Sequence, residues 1–239
     1  MPESPAVAAA RRYAEQNNPK RSDWYAKIAR EVERDYTEAI VRLHYRGRIY
    51  DIPANFFSFN GRSRFKKFAL PGPERYEIRE TGDFLSGLHF FWPKFNGFTL
   101  DNWFDQFDRR MINYTGFQLE LPGSTNRTTE EVFGLRMSMQ RIEEKPSVEL
   151  HGLKGYRFSH RGDYAWVGTR AGGKMFMMDA FDPRDKTAAG LPPNPHCDAR
   201  MYDRGTREDV SYFYSLDLFE HWLEIDTRTQ AMFRTWRVS

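Results

Sequence analysis

The sequence has one cysteine, Cys197, in 239 residues. A lone thiol cannot close an intramolecular disulfide, so a packed core must hold the chain without covalent staples, which a chain of this length can do. Net charge is also scarce. Lys and Arg number 36 against 33 Asp and Glu, a formal charge of +3. A dedicated nucleic-acid binder carries a clearer basic excess or stripe, so no nucleic-acid partner is expected. Long apolar runs are missing, and nothing approaches the roughly 20 residues of a membrane-spanning helix. Met1 to Ala10 is rich in Pro and Ala but lacks a basic segment followed by an apolar one. It does not read as a secretory signal. The chain is expected in the cytoplasm, or in the periplasm if a signal or anchor has been removed from its start. Such an anchor is the expected route to a membrane.

What the sequence does have is apolar and aromatic mass. Hydrophobic residues make up 40% and aromatics 16%, with 20 Phe, 12 Tyr and 6 Trp. That is ample for a core and argues against global disorder. Aromatics also dominate binding hot spots, so composition alone does not separate the two uses. Arg greatly outnumbers Lys. The planar guanidinium suits bidentate and stacked contacts, which mildly favours protein recognition, although a GC-rich genome gives the same excess.

Periodicity predicts helices at the two ends and strands between them. Ser22 can cap a helix running to about Tyr36, with Tyr25, Ile28, Ala29, Val32 and Tyr36 on one face. Arg11 to Gln16 can add a further helical turn or form a frayed tail. Val41, Leu43 and Tyr45 alternate with polar residues into a hairpin turning at Arg46–Gly47, and Pro53 ends its second strand. Strands are expected at Tyr76–Arg79, Leu88–Trp92, Phe117–Leu121, Tyr156–Phe158, Tyr164–Val167, Met175–Met178 and Val210–Tyr214. Phe133, Leu135, Met137 and Met139 alternate with Gly134, Arg136 and Ser138, which reads as another strand with one buried face. Thr99 to Asp108 reads as a short helix. A final helix follows Ser215, with Leu218, Trp222, Ile225 and Met232 near one stripe. The class is α+β with antiparallel sheet and helices at both ends. The whole chain, 1–239, reads as one such unit, and its halves allow a division into similar lobes at 20–122 and 130–239.

Each apparent chemical motif has a weak point. Gly168 to Lys174 has the spacing of a phosphate-binding loop, but Met175 stands where a hydroxyl should hold magnesium. The flanks read as strands, so a hairpin turn fits better than a helix opening. Ser63 and Lys66 match the serine–lysine spacing of some acyl-transfer enzymes but have no companion motif. None of the six histidines pairs at a common zinc spacing. His196 adjoins Cys197, but neighbours on a strand do not face each other, and a buried structural thiol is expected. Asp179, Asp182 and Asp185 offer oxygen to a hard cation without an EF-hand pattern. No cofactor is expected. The basic run Arg62, Arg64, Lys66 and Lys67, together with Arg184 and His196, are the candidate partner-binding residues.

Cys197 to Tyr202, Val210 to Tyr214 and Leu218 to Phe233 form a cysteine-led strand, an aromatic strand and a terminal helix bearing Trp222, Ile225 and Asp226. This pattern resembles the end of periplasmic immunity proteins encoded beside antibacterial toxins of the type VI secretion system, especially those that guard against phospholipase effectors. The early hairpin Tyr45 to Pro53 looks like the corresponding strand near their start. The resemblance implies a non-enzymatic inhibitor that binds one cognate toxin tightly and blocks its active site or its assembly. Two readings compete with it: a hydrolase whose Asp and His come from distant positions, and an adaptor or chaperone that carries an effector.

Overall fold

The computed structural model describes residues 3–36, 40–45, 48–57, 75–78, 84–97, 111–117, 127–139, 141–170, 172–185, 191–203 and 208–238. Four α-helices and two sheets occur among them, an α+β architecture with helices at both ends. The chain divides into two compact units. One comprises Met1–Gly82, Gly87–Asp108 and Met232–Ser239, the other Asp83–Ser86 and Arg109–Ala231.

The first unit opens with helices α1 (Pro5–Asn17) and α2 (Ser22–Tyr36). The Ser4 hydroxyl accepts the Val7 N–H, and Pro5 occupies the first turn, where its missing N–H is harmless. Ala10 and Ala14 on α1, with Ala26 and Ala29 on α2, are fully buried. The two helices pack together, and small side chains let their backbones approach closely. The sheet of this unit has the order β2–β1–β3, from β1 (Ile40–Tyr45), β2 (Arg48–Pro53) and β3 (Arg75–Ile78). Strands β1 and β2 are antiparallel, and β3 runs parallel to β1. Val41 and Leu43 face Ile52 and Tyr50 in the buried layer, while Arg42 donates two hydrogen bonds, of 2.8 and 2.7 Å, to Asp51 directly opposite. The alternation read from the sequence therefore sets this register. The expected turn at Arg46–Gly47, the 99–108 helix, Ser63 with Lys66, and the Leu119–Leu121 part of the Phe117–Leu121 strand lie outside the described residues.

The second unit is built on a sheet of order β4–β5–β11–β10–β9–β8–β7–β6. Its strands are β4 (Phe84–Phe91, which begins in this unit), β5 (Met111–Phe117), β6 (Val148–Leu150), β7 (Leu153–Arg157), β8 (Tyr164–Thr169), β9 (Met175–Ala180), β10 (His196–Asp203) and β11 (Glu208–Ser215). The pairs from β5–β11 to β6–β7 are antiparallel. One face carries Trp166, Phe176, Met178, Cys197, Tyr212 and Tyr214, all buried. A 3-10 turn (Leu216–His221) and helix α4 (Trp222–Trp236) follow β11. Phe219 packs edge-on against Trp166, with ring centroids 4.8 Å apart, and Trp222 lies tilted by 35° against Phe176 at 4.6 Å.

The expected strand over Phe133–Met139 is instead helix α3 (Thr129–Ser138). The signal that decides it precedes the alternation. Thr128 accepts the Glu131 N–H, and the Glu131 carboxylate accepts the Thr128 N–H at 2.7 Å, a reciprocal capping box. The buried side of α3 then follows a helical period. Phe133 is buried and Val132 and Met137 pack with it against Ala165 and Met177, whereas Leu135 and Met139 are 39% and 51% exposed. A period of two had put all four large residues on one side.

Candidate binding surfaces

The segment from Gly168 to Lys174 forms the β8–β9 hairpin. Thr169 pairs with Met175, Arg170 N–H donates to the Lys174 carbonyl at 2.8 Å, and Gly173 N–H donates to the Arg170 carbonyl at 3.0 Å. Gly172 and Gly173 have φ of 89° and 81°, the region glycine enters without a Cβ penalty. The turn fills the place where a phosphate loop would open a helix.

Arg170 turns inward from this hairpin. Its Nε and Nη2 donate to Asp226 of α4 at 2.8 and 3.0 Å, with the two side chains only 6% and 2% exposed. The Tyr212 hydroxyl donates to the same carboxylate at 2.6 Å and Gln230 Nε2 at 2.7 Å. Four donors thus converge on two acceptor oxygens, and the buried charge is neutralised in place. Burial, with the Asp226 charge beside it, pushes the Tyr212 phenol well above its ordinary range. The cluster ties the hairpin, β11 and α4 together.

Beside it, a cleft of about 780 Å³ lies where the β6–β7 and β8–β9 turns meet the start of α3 and the start of α4. Val167, Met175, Trp222 and Leu223 give it apolar walls, and Glu130, Glu220, His151 and Lys154 bring polar groups. The Trp222 ring is fixed by its Nε1–H, which donates to the His151 carbonyl at 2.9 Å. Glu130 accepts the Met175 N–H at 3.0 Å. Burial opposes the charge on Glu130, but N–H groups, the Thr128 hydroxyl and the nearby Arg170 outweigh it and hold the carboxyl below its usual range.

A second surface lies on the sheet face that carries α3. There Arg136 donates to Asp179 at 2.7 Å, Arg161 reaches the same carboxylate at 3.4 Å, and the Arg161 guanidinium sits 4.1 Å over the Phe158 ring. Next along β10 come His196, Asp198 and Arg200, with Ser211 and Phe213 opposite on β11. Asp198 and Arg200 pair with each other, and the exposed His196 ring lies 5.7 Å from Phe213, itself 37% exposed.

The sequence candidates therefore separate. His196 belongs to this sheet face. Arg184 sits in the loop after β9, exposed, with its guanidinium held by Asp182 at 2.9 and 2.6 Å. Arg62, Arg64, Lys66 and Lys67 lie outside the described residues. Cys197 points to the opposite side of β10 from His196 and is fully buried. Burial pushes its thiol far above the usual range, against a hydrogen bond with Tyr214 that works the other way. Asp179 and Asp182 are engaged by arginines, and among the described residues no group of three His, Cys, Asp or Glu side chains could hold a metal ion. Sequence reasoning missed the cleft and the Arg170–Asp226 cluster. The capping box at Thr128–Glu131 was the available signal that Glu130 begins a helix.

No protein-family model matches the sequence, and no curated protein matches it. The structure does resemble solved ones. It is similar to Smlt3025, an immunity protein of the Stenotrophomonas maltophilia type IV secretion system, with a TM-score of 0.55 and 12% identity over 85% of this chain and 95% of that one. It is also similar to the Neisseria meningitidis iron-regulated outer membrane lipoprotein FrpD, with a TM-score of 0.46 and 10% identity over 84% and 94% of the two chains. The first likeness establishes an immunity-protein-like fold. That neighbour belongs to a type IV rather than a type VI system, and nothing in it concerns a phospholipase effector. Among the described residues, no helix is long and apolar enough to cross a membrane.

Proposed function

We propose that this chain is a non-enzymatic binding protein that neutralises a cognate secreted antibacterial toxin. The observation that carries the reading is the match in fold to an immunity protein along nearly the whole of that neighbour's length. The C-terminal strands and helix support it independently through their resemblance to immunity proteins of the type VI system. The neighbour belongs to a type IV system, so the part common to both is an immunity protein. The same resemblance supports action in the periplasm.

The described surfaces suit this role. Rigid strands present His196 and Phe213, a short turn presents Arg184, and aromatic and arginine anchors are the usual core of interfaces. The basic run Arg62 to Lys67 supplies steering charge, whose effect falls with salt. The test is to co-express the chain with the product of its neighbouring gene. Co-purification and rescue of cell growth are expected. No complex, together with hydrolysis of a lipid, peptide or glycan by the isolated chain, would overturn the reading in favour of an enzyme.

A further inference from the structure

We infer that the cleft beside the Arg170–Asp226 cluster receives a long cationic side chain, lysine or arginine, from the surface of the bound toxin. This rests on the toxin-binding reading above and adds to it the site and the chemistry of one contact.

The walls and the rim of the cleft ask for different things. Val167, Met175, Trp222 and Leu223 line it with apolar surface, and Leu223 is 43% exposed at rest. Glu130 and Glu220 add two carboxylates. The one lysine of the lining, Lys154, has its ammonium 3.8 Å from Glu149, which is outside the lining. Arg170, whose charge reaches Glu130, is already committed to Asp226 by two hydrogen bonds. Glu130 takes its hydrogen bonds from neutral donors, the Met175 N–H, its own N–H and the Thr128 hydroxyl, so its negative charge is held in position and not cancelled by those contacts. Glu220 lies 3.7 Å from His221 and keeps 58% of its side chain exposed.

A purely apolar plug would strip water from these carboxylates and return nothing to them. An anion would meet two carboxylates against one lysine, whose ammonium already lies near Glu149. A lysine or arginine satisfies both parts, because its methylene stem lies along apolar surface while its head reaches acceptors. Charge complementarity therefore selects the occupant.

The first experiment needs no toxin. The protein, labelled with nitrogen-15, is titrated with N-acetyl-arginine methylamide, and in parallel with the citrulline analogue, which has nearly the same shape without the charge. The amides of Gly152, Gly168 and Gly173 are expected to shift with the arginine probe. The citrulline probe should bind at least about tenfold more weakly. Glu220→Gln, on an exposed side chain, should weaken the arginine probe and leave the rest of the spectrum in place. Equal shifts with citrulline, no shift at all, or an unchanged response in Glu220→Gln would each overturn the inference.

The second experiment uses the toxin complex. Glu220→Lys reverses one carboxylate and is expected to weaken the toxin by about tenfold or more. An unaffected complex would remove the cleft from the interface while leaving the toxin-binding reading intact. Cation binding without any toxin partner would do the reverse, overturning the occupant assigned here.

Discussion

Asp226→Ala removes the carboxylate that four donors share. The largest cost is the Arg170 guanidinium, which keeps 6% of its surface and loses both of its bonds to that carboxylate. Removing one partner of a buried ion pair costs about 3–5 kcal/mol, because the remaining charge is left uncompensated. The buried Tyr212 hydroxyl also loses its 2.6 Å acceptor, worth about a further 1 kcal/mol. The expected loss is therefore about 4–6 kcal/mol, a large share of the roughly 5–15 kcal/mol that holds a typical domain. The double variant Arg170→Met/Asp226→Leu removes both charges and keeps the volume apolar. It should be clearly milder, about 1–3 kcal/mol below the parent, since the Tyr212 hydroxyl is then the main group left unpaired. Urea unfolding followed by tryptophan fluorescence and by circular dichroism measures both; Trp166 and Trp222 lie in the same unit as the cluster. A single variant within about 1 kcal/mol of the parent, or a double variant no better than the single, would refute the account of a buried and mutually neutralising cluster.

Gly168→Ala places a methyl 2.6 Å from Leu153 Cδ2 and 3.1 Å from Trp222 Cη2, so overpacking should cost about 1–3 kcal/mol in the same urea assay, and a neutral result would mean that this contact is loose. Cys197 should react with a thiol reagent only at the rate of unfolding, and rapid labelling in buffer would contradict its buried position on β10. Glu130 is held below its usual range, so it binds protons more weakly in the folded chain than in the unfolded one. Its contribution is complete above its ordinary value of 4.5 and is lost as pH falls below it. Melting curves of the parent and Glu130→Gln should converge as pH drops through that region, and curves that stay parallel would count against the stabilised carboxylate.

Much of the fold was legible because burial on one face leaves a period in the chain. The β1–β2 register follows from Val41 and Leu43, and the β8–β9 hairpin from its glycines and flanking strands. Helix α3 was misread because Phe133, Leu135, Met137 and Met139 alternate by chance, while only some of them face the core. The site was far less legible. Arg170, Tyr212 and Asp226 are distant in sequence, and nothing local marks Asp226 as buried on the same stripe as Trp222 and Ile225. His196 and Cys197 show what the sequence could resolve. Their adjacency on a strand meant opposite faces, and they take an exposed and a buried place.

Residues 236–238 complete the first unit by returning to its hairpin. The Val238 N–H donates to the Ile49 carbonyl at 2.8 Å, Arg237 bridges to Tyr50, and the Trp236 ring packs 4.7 Å from Phe56. During synthesis, then, the N-terminal hairpin and helices leave the ribosome well before the segment that finishes their packing. At about 5–20 residues per second, the roughly 180 residues between them take on the order of ten seconds or more to make. For that interval Phe56 lacks the Trp236 ring that packs against it in the folded chain, and the early hairpin lacks its backbone partners at Arg237 and Val238.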